Sequence, residues 1–584
     1  MPLHKMSSGF KRRAEPDNEA NKRQRLDEAG APPKSASWNG LPVEMVAETA
    51  RNLITDDVHE TARNLNDIGF VDRFHRSVVT SDPQLARIDG GLSEACAVAL
   101  QLSQALMKHP GGESIALHGR ILSELSPVRR RGLARAALDQ TGEDRVHAIS
   151  GLLDGTPYLD PQTVPRLRNT LLHTQMPHVR NGIAAAAALG LWNAGAENLD
   201  QKDRSVLVRN TCAIDADNVI SVFREPLGDM DHGTARHGGI GEALKHLPPA
   251  ERSSLVDIIP KIADPIDRAT AIGSMAPGFA HLKPYEVEAF LGMICNDHHP
   301  LALGTNAAWA VCDLGPAVEA LTPEQVGRVM QVITDPMHAH YPIEGGNLRA
   351  NALGTFALKV RDPDELSKII TDSTHPDYLE SRSDVSIVVA HWGSKLEVFK
   401  PEQRSEFVKI LTDHAHPRFL TEEEDISHAI SGLARGLAYL QPEERSALVG
   451  RTLGLENSAE KAKTIAGFGQ ELQYLKPEER SALVQAIPYL DKEEQASAIC
   501  GIGQGLGHLK PEERSRLVTD ANQLFHESLT SDSISAATNG IAGLMSGVRN
   551  WTTDLLNNNK SIVVKVRDPL PDNRSRDRDG SVAR

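Results

Sequence analysis

The stretch Leu440-Gln-Pro442-Glu-Glu-Arg-Ser-Ala-Leu-Val449 recurs almost verbatim as Leu475-Lys-Pro477-Glu-Glu-Arg-Ser-Ala-Leu-Val484 and Leu509-Lys-Pro511-Glu-Glu-Arg-Ser-Arg-Leu-Val518. Weaker copies place the proline at Pro401, Pro323, Pro284, Pro249, Pro161 and Pro127. One copy, around Gln201 and Arg204-Ser-Val-Leu-Val208, lacks it, and Pro363-Asp-Glu-Leu-Ser fills the interval between Pro323 and Pro401. Neighbouring copies begin 34 (Pro477 to Pro511) to 48 (Gln201 to Pro249) residues apart, eleven copies in all. A repeat of this length decides the fold before any single element does.

Each phrase reads as the start of a helix. Proline suits the first helical turn, where its missing N–H has no partner to lose. The two glutamates put negative charge at the positive end of the helix dipole. Leu448, Val449 and Leu453 then mark an apolar face of helical period. Before each phrase lies a second helical stretch, such as Ala429–Leu440 or Ala498–Leu509. Its internal glycines cost about 1 kcal/mol each against alanine, but they let neighbouring backbones come close. Two helices per ~40 residues predict an all-α chain, an α-solenoid over residues 90–550 that resembles the HEAT/armadillo class of helical hairpins. Such arrays mostly bind proteins, so a target-binding role is expected for this region.

Composition narrows the function. Of 584 residues, 40% are apolar and 24% charged, with Gly 45 and Pro 34 close to average usage, which excludes collagen-like and wholly disordered chains. Aromatics are 4%, so the core must come from Leu, Ala, Val and Ile. The longest gap-free apolar run, Gly182 to Trp192, falls well short of the ~18 residues of a membrane span. No membrane contact is expected. The net charge of −15 argues against direct nucleic-acid binding, because phosphates demand a basic surface. Cys96, Cys212, Cys295, Cys312 and Cys500 are widely spaced and form no C-x-x-C pair, which fits a reducing compartment and neither disulfides nor a structural zinc site. The first ten residues lack the long apolar core of a secretory signal.

Loops between repeats carry histidines, in Asp297-His-His-Pro300, His338-Ala-His340, Asp372-Ser-Thr-His-Pro376 and Asp413-His-Ala-His-Pro417. Such clusters can bind metal, but Asp and Pro also punctuate turns. Recurrence in register with the repeat favours turns. Gly501-Ile-Gly503-Gln-Gly505 lies inside an expected helix and lacks the strand–turn–helix context of a dinucleotide site. No catalytic residue, cofactor or metal is expected.

The two ends read differently from the middle. Residues 1–40 are polar and without periodicity, so they are expected to be disordered. Within them Lys11-Arg12-Arg13 and Lys22-Arg23-Gln24-Arg25 flank an eight-residue spacer, Ala14 to Asn21. The pair resembles a bipartite nuclear localisation signal, which implies importin-alpha as a partner; the alternative is a solubilising charged tail. The segment 41–85 follows. Leu41, Pro42, Glu44, Met45, Val46, Leu53, Asp57 and Val58 match the opening of an F-box, with Thr49 and Ala50 where that pattern has bulky apolar residues. The resemblance implies that these eight residues bind a Skp-family adaptor of a cullin ubiquitin ligase. Pro42 would start a helix whose apolar side chains dock in a groove. The alternative is a capping helix pair at the N-terminal end of the array.

After Asn559 the repeat pattern stops. Residues 560–584 are expected to form a disordered tail in which Arg567, Arg574, Arg576 and Arg578 resemble the C-terminal export signal of Agrobacterium-type IV secretion substrates, one residue short in the first interval. A solvated polyampholyte is the plain alternative, since Asp577 and Asp579 alternate with the arginines. Nuclear signal, F-box and export tail together resemble the VirF-like effectors that bacteria deliver into plant cells. That resemblance implies a protein made in the bacterial cytoplasm and secreted into the host, where it acts in the nucleus. It would be a non-enzymatic adaptor that brings a host or co-delivered target, held by the repeats, to ubiquitination and proteasomal degradation. The other function carried forward is a helical-repeat scaffold that binds or inhibits a host protein without a ubiquitin step.

Overall fold

The computed structural model describes residues 43–174, 188–214, 222–223 and 240–567, apart from breaks at 56, 72–78, 81, 189–190, 193–198, 343–345 and 528–530. Every element among the described residues is helical. None of these helices is long and apolar enough to cross a membrane. Helix α1 spans Val43–Asn52, α2 Val58–Val71 and α3 Pro83–Leu106, and the repeats follow. The chain forms two compact units. One comprises residues up to Ile54 and Thr61–Asp89; the other comprises Thr55–Glu60 and everything from Gly90 onward.

In the larger unit the recurring phrase starts a helix where its pattern says it should. Helices begin at Pro127, Pro249, Pro284, Pro323, Pro363, Pro401, Pro442, Pro477 and Pro511, and at Gln201 in the copy without proline. The copy at Pro161 begins its helix two residues later, at Thr163. The second glutamate closes the first turn. Glu444 accepts from the Gln441 N–H at 2.8 Å, and Glu479 from the Lys476 N–H at 2.8 Å. Each does so from the N3 position, as in a capping box.

Most described stretches before a phrase are not one helix but divide into an α-helix, such as Glu423–Ala434, and a short 3-10 turn, such as Leu437–Tyr439; before Pro363 a π-helical turn, Leu353–Ala357, takes that place. The glycines explain the division. A Cβ on Gly432 would stand 2.1 Å from Ala390 O, and one on Gly469 would stand 1.7 Å from Gly501 O. The backbones of adjacent repeats touch there, and only glycine leaves room. These helices therefore form one layer, each packed on its counterpart in the next repeat, as Glu423–Ala434 packs on Ser458–Gly467 and that helix on Lys492–Gly503. The phrase helices form a second layer, with Pro401–Thr412 on Pro442–Leu453 and that on Pro477–Ala486. The buried core between the layers is mostly Leu, Ile, Val and Ala, with aromatic contacts such as the cluster of Trp392, Phe399 and Phe407 and the pair Phe279 and Phe290.

The phrase also joins repeats. Ser446 Oγ donates to Glu479 Oε1 of the next phrase at 2.5 Å, and Ser481 Oγ to Glu513 Oε1 at 2.5 Å. Ser405 bonds Glu444, Ser253 bonds Glu286 and Ser205 bonds Glu251 in the same way. The arginine crosses the same junction. Arg445 Nη1 donates to Tyr474 O at 2.9 Å, Arg404 Nη1 to Tyr439 O at 3.2 Å and Arg252 Nη1 to His281 O at 2.6 Å. Arg445 and Arg404 also lie over the Tyr474 and Tyr439 rings, 5.6 and 5.5 Å from the centroids. The proline, the second glutamate, the arginine and the serine of Pro-Glu-Glu-Arg-Ser thus start, cap or link helices.

The array also meets itself. The terminal helix, Ser531–Arg567, packs on Lys492–Gly503 as the next member of the first layer. Its other side packs on Leu117–Glu124 of the first repeat. Neighbour-to-neighbour contacts therefore run in a closed circuit, passing through the second-layer helices Thr163–Thr174, Gln201–Cys212 and Pro249–Val256 where the first layer is less fully described. The terminal helix continues past Asn559 to Arg567, so residues 560–567 are helical instead of belonging to an irregular tail.

The glycines divide into two kinds, and substitution separates them. A Cβ on Gly450, within Pro442–Leu453, meets nothing within 4 Å. Gly450→Ala is expected to stabilise by about 0.5–1 kcal/mol. Gly469→Ala is expected to destabilise by more than about 2 kcal/mol, because its methyl group would overlap the Gly501 carbonyl. Urea midpoints of the two variants check both signs.

Candidate protein-interaction surface

The F-box-like residues divide between the two compact units. In α1, Val46, Ala47 and Ala50 are buried, while Met45 is 53% and Leu53 just beyond it 38% exposed. Single apolar side chains are also open elsewhere among the described residues, as at Val128 and Met337. Thr49, which stands where the pattern has a bulky apolar residue, donates from Oγ1 to Met45 O at 2.8 Å. Arg51 Nη2 pairs with Asp82 Oδ2 at 2.6 Å, and Asn64 Nδ2 donates to Leu53 O at 3.1 Å. Glu44 lies in the first turn of α1.

Asp57 and Val58 fall in the larger unit. Val58 is buried. Asp57 accepts from the Glu60 N–H at 2.9 Å, capping α2, and from Arg130 Nη1 and Nη2 at 2.6 and 2.9 Å. Arg130 is the arginine of the first phrase, and it also reaches Tyr158 O of the following repeat at 3.2 Å. Burial pushes the Asp57 carboxyl up, but the Arg130 hydrogen bonds, the Glu60 N–H and the guanidinium charge outweigh it and hold the group below its ordinary value. Nothing in the sequence pairs Arg130 with Asp57 directly, although its fourth place in a phrase marks it as a linking arginine.

Leu41 and Pro42, the import residues Lys11, Arg12, Arg13, Lys22, Arg23 and Arg25, and the export residues Arg574, Arg576 and Arg578 lie outside the described residues. Arg567 is the last residue of the terminal helix.

The histidine loops are four versions of one turn. Asn296, Asp335, Asp372 and Asp413 each accept the N–H two residues on, at 2.9 to 3.0 Å. The histidine three residues on, His299, His338, His375 or His416, then uses Nδ1 to accept a further N–H at 3.1 Å. Nδ1 is thus occupied as an acceptor, and His416 directs Nε2 to Glu406 Oε1 at 2.8 Å. Among the described residues no group of three or more His, Cys, Asp or Glu is arranged to hold a metal ion.

Burial also shifts several cysteines and histidines among the described residues. Burial pushes the Cys96 and Cys295 thiols up to about 12 and Cys312 higher still, so none is a thiolate at neutral pH. Burial holds His118 and His391 down at about 4. His118 is fully enclosed between Ser114 O and Ser103 Oγ, at 2.8 and 3.0 Å. These are packing groups satisfied by neighbours.

No protein-family model matches the chain, and no curated protein does either. Fifteen chains of solved structures match it. One is the crystal structure of an engineered protein from the Northeast Structural Genomics Consortium, 14% identical, covering 68% of this chain and 99% of that one with a TM-score of 0.21. The chain is an all-helical repeat protein.

The Asp57–Arg130 pair makes a pH prediction. A carboxyl whose folded pKa lies below its unfolded value of about 3.9 stabilises fully above that value and loses the contribution as pH falls through the folded pKa. The urea midpoint of wild type should exceed that of Asp57→Asn by a constant margin from about pH 8 to about pH 5, and the margin should close below about pH 4. A margin independent of pH would show that the lost contact is not ionic.

Proposed function

We propose that the protein is a substrate-recruiting adaptor in which α1 docks on a Skp-family adaptor of a cullin ubiquitin ligase while the HEAT/armadillo-like repeats hold a target for ubiquitination. The observation that carries this reading is the exposure of Met45 on, and Leu53 just beyond, a helix whose sequence matches an F-box opening and whose other face is buried. Two open apolar side chains at one short helix suit a helix-in-groove contact. The chain performs no chemistry in this account; the recruited ligase does. The basic clusters at residues 11–13 and 22–25 and the arginines of the tail support delivery by a bacterium and entry into the host nucleus through importin-alpha, as in VirF-like effectors.

A second reading has its own observation. Val46 and Val58 are buried and Asp57 is engaged by Arg130, so part of the motif serves the fold. That favours a capping helix pair on a scaffold that binds a host protein without a ubiquitin step.

Capture of a purified plant Skp-type protein by the full chain separates the two. Met45→Asp/Leu53→Asp removes only exposed apolar contacts and should leave helical content intact while lowering capture at least about tenfold. Undiminished capture would move the contact elsewhere, and absence of capture by wild type would leave the scaffold.

A further inference from the structure

Ordinary junctions between repeats combine chain continuity with glycine-backed contact, as where the Gly469 and Gly119 positions press on the carbonyls of Gly501 and Gly151. The junction that closes the circuit is built otherwise. No peptide links its two sides: residues 511–556 lie on one and 90–124 on the other. Arg514 is the arginine of the last phrase, and its equivalents bond a carbonyl of the following repeat. With no following repeat, it grips a carboxylate: Nε and Nη2 donate to Glu94 Oε1 and Oε2 at 2.8 and 2.7 Å. Its guanidinium also lies 4.5 Å from the centroid of Trp551.

Further polar contacts cross this seam. Thr552 Oγ1 donates to the buried Glu124 at 2.8 Å, and Ser123 Oγ to the other oxygen at 2.7 Å. Arg120 Nη1 bonds Ser546 Oγ at 2.9 Å and Ala542 O at 3.2 Å, and Lys108 Nζ meets His526 Nε2 at 2.8 Å. Leu555 over Gly91 and the edge contact of His109 with Phe525 supply apolar contact. Behind the seam the terminal helix is fixed as any first-layer helix is. Cβ positions on Gly543 and Gly547 would fall 2.0 and 1.7 Å from Cys500 O and Gly503 O.

We propose that this seam is a polar latch: the circuit opens between residues 90–124 and the terminal two helices while the other junctions stay shut. When it opens, the terminal helix stays with Lys492–Gly503, because its glycine contacts lie on that side. Side-chain contacts alone hold this junction, with no chain continuity across it, so it is the one that opens first. Opening therefore frees Glu94, Glu124 and Arg120 on one face and Arg514, Ser546 and Thr552 on the other.

Hydrogen exchange on the full chain tests the latch through two variants at different contacts, Glu94→Arg and Thr552→Val. In both, amides of residues 90–106 and 541–556 should exchange about tenfold faster than in wild type, while those of Glu423–Ala434 stay within about twofold. Circular dichroism should show unchanged helix content. Unchanged exchange at the seam in both variants, or acceleration spread evenly over the repeats, would overturn the proposal.

Discussion

One junction, repeated, holds this molecule together. In five phrases a serine hydroxyl (Ser205, Ser253, Ser405, Ser446, Ser481) donates to a glutamate of the next phrase, and in several an arginine beside it reaches the carbonyl that ends the next repeat's 3-10 turn. Glu479, for one, thereby caps its own helix and ties that helix to the one before. A repeat unit of two short helices buries too little surface to stand alone, so it depends on its neighbours for stability. That dependence gives a reason for the recurrence of the proline, second glutamate, arginine and serine: each starts or caps its own helix or meets a partner one repeat away.

The fold was legible in the sequence to the extent that it is local. Proline at N1, the acidic first turn and the apolar face specified the phrase helices, and the recurrence set their number and order. The glycines announced close backbone approach, but not that the helix ends at Ala434 and gives way to a 3-10 turn over Leu437–Tyr439. Closure was hidden, because Glu94 and Arg514 are 420 residues apart and neither belongs to a motif that names the other. The helix beyond Asn559 was missed for a related reason: it carries no phrase, and the β-branched Ile562, Val563 and Val564 are weak helix formers.

At the candidate surface the sequence proposed the residues, and the structure divides the described ones by packing. Met45 and Leu53 stand open, whereas Val46 and Val58 are packed and Asp57 is held by Arg130. A sequence pattern specifies apolar positions without saying which side of a helix faces the protein's own core, so that division had to come from packing. The histidine loops resolve the other way. Their recurrence with the repeat pointed to turns, and the four Nδ1 acceptor bonds give that recurrence its cause. The adaptor reading and the array are complementary: a short helix with exposed apolar side chains offers a compact docking point, and a long repeat surface offers room for a target.

The claim on which the rest depends is that the phrase acts between repeats. A double-mutant cycle on Ser446→Ala and Glu479→Gln measures this directly, because the capping bond that Glu479 makes to its own helix is lost equally with and without Ser446 and cancels from the coupling. The account predicts a coupling of about 1 kcal/mol from urea denaturation. Strictly additive effects would contradict it and reduce the repeated phrase to a local helix start.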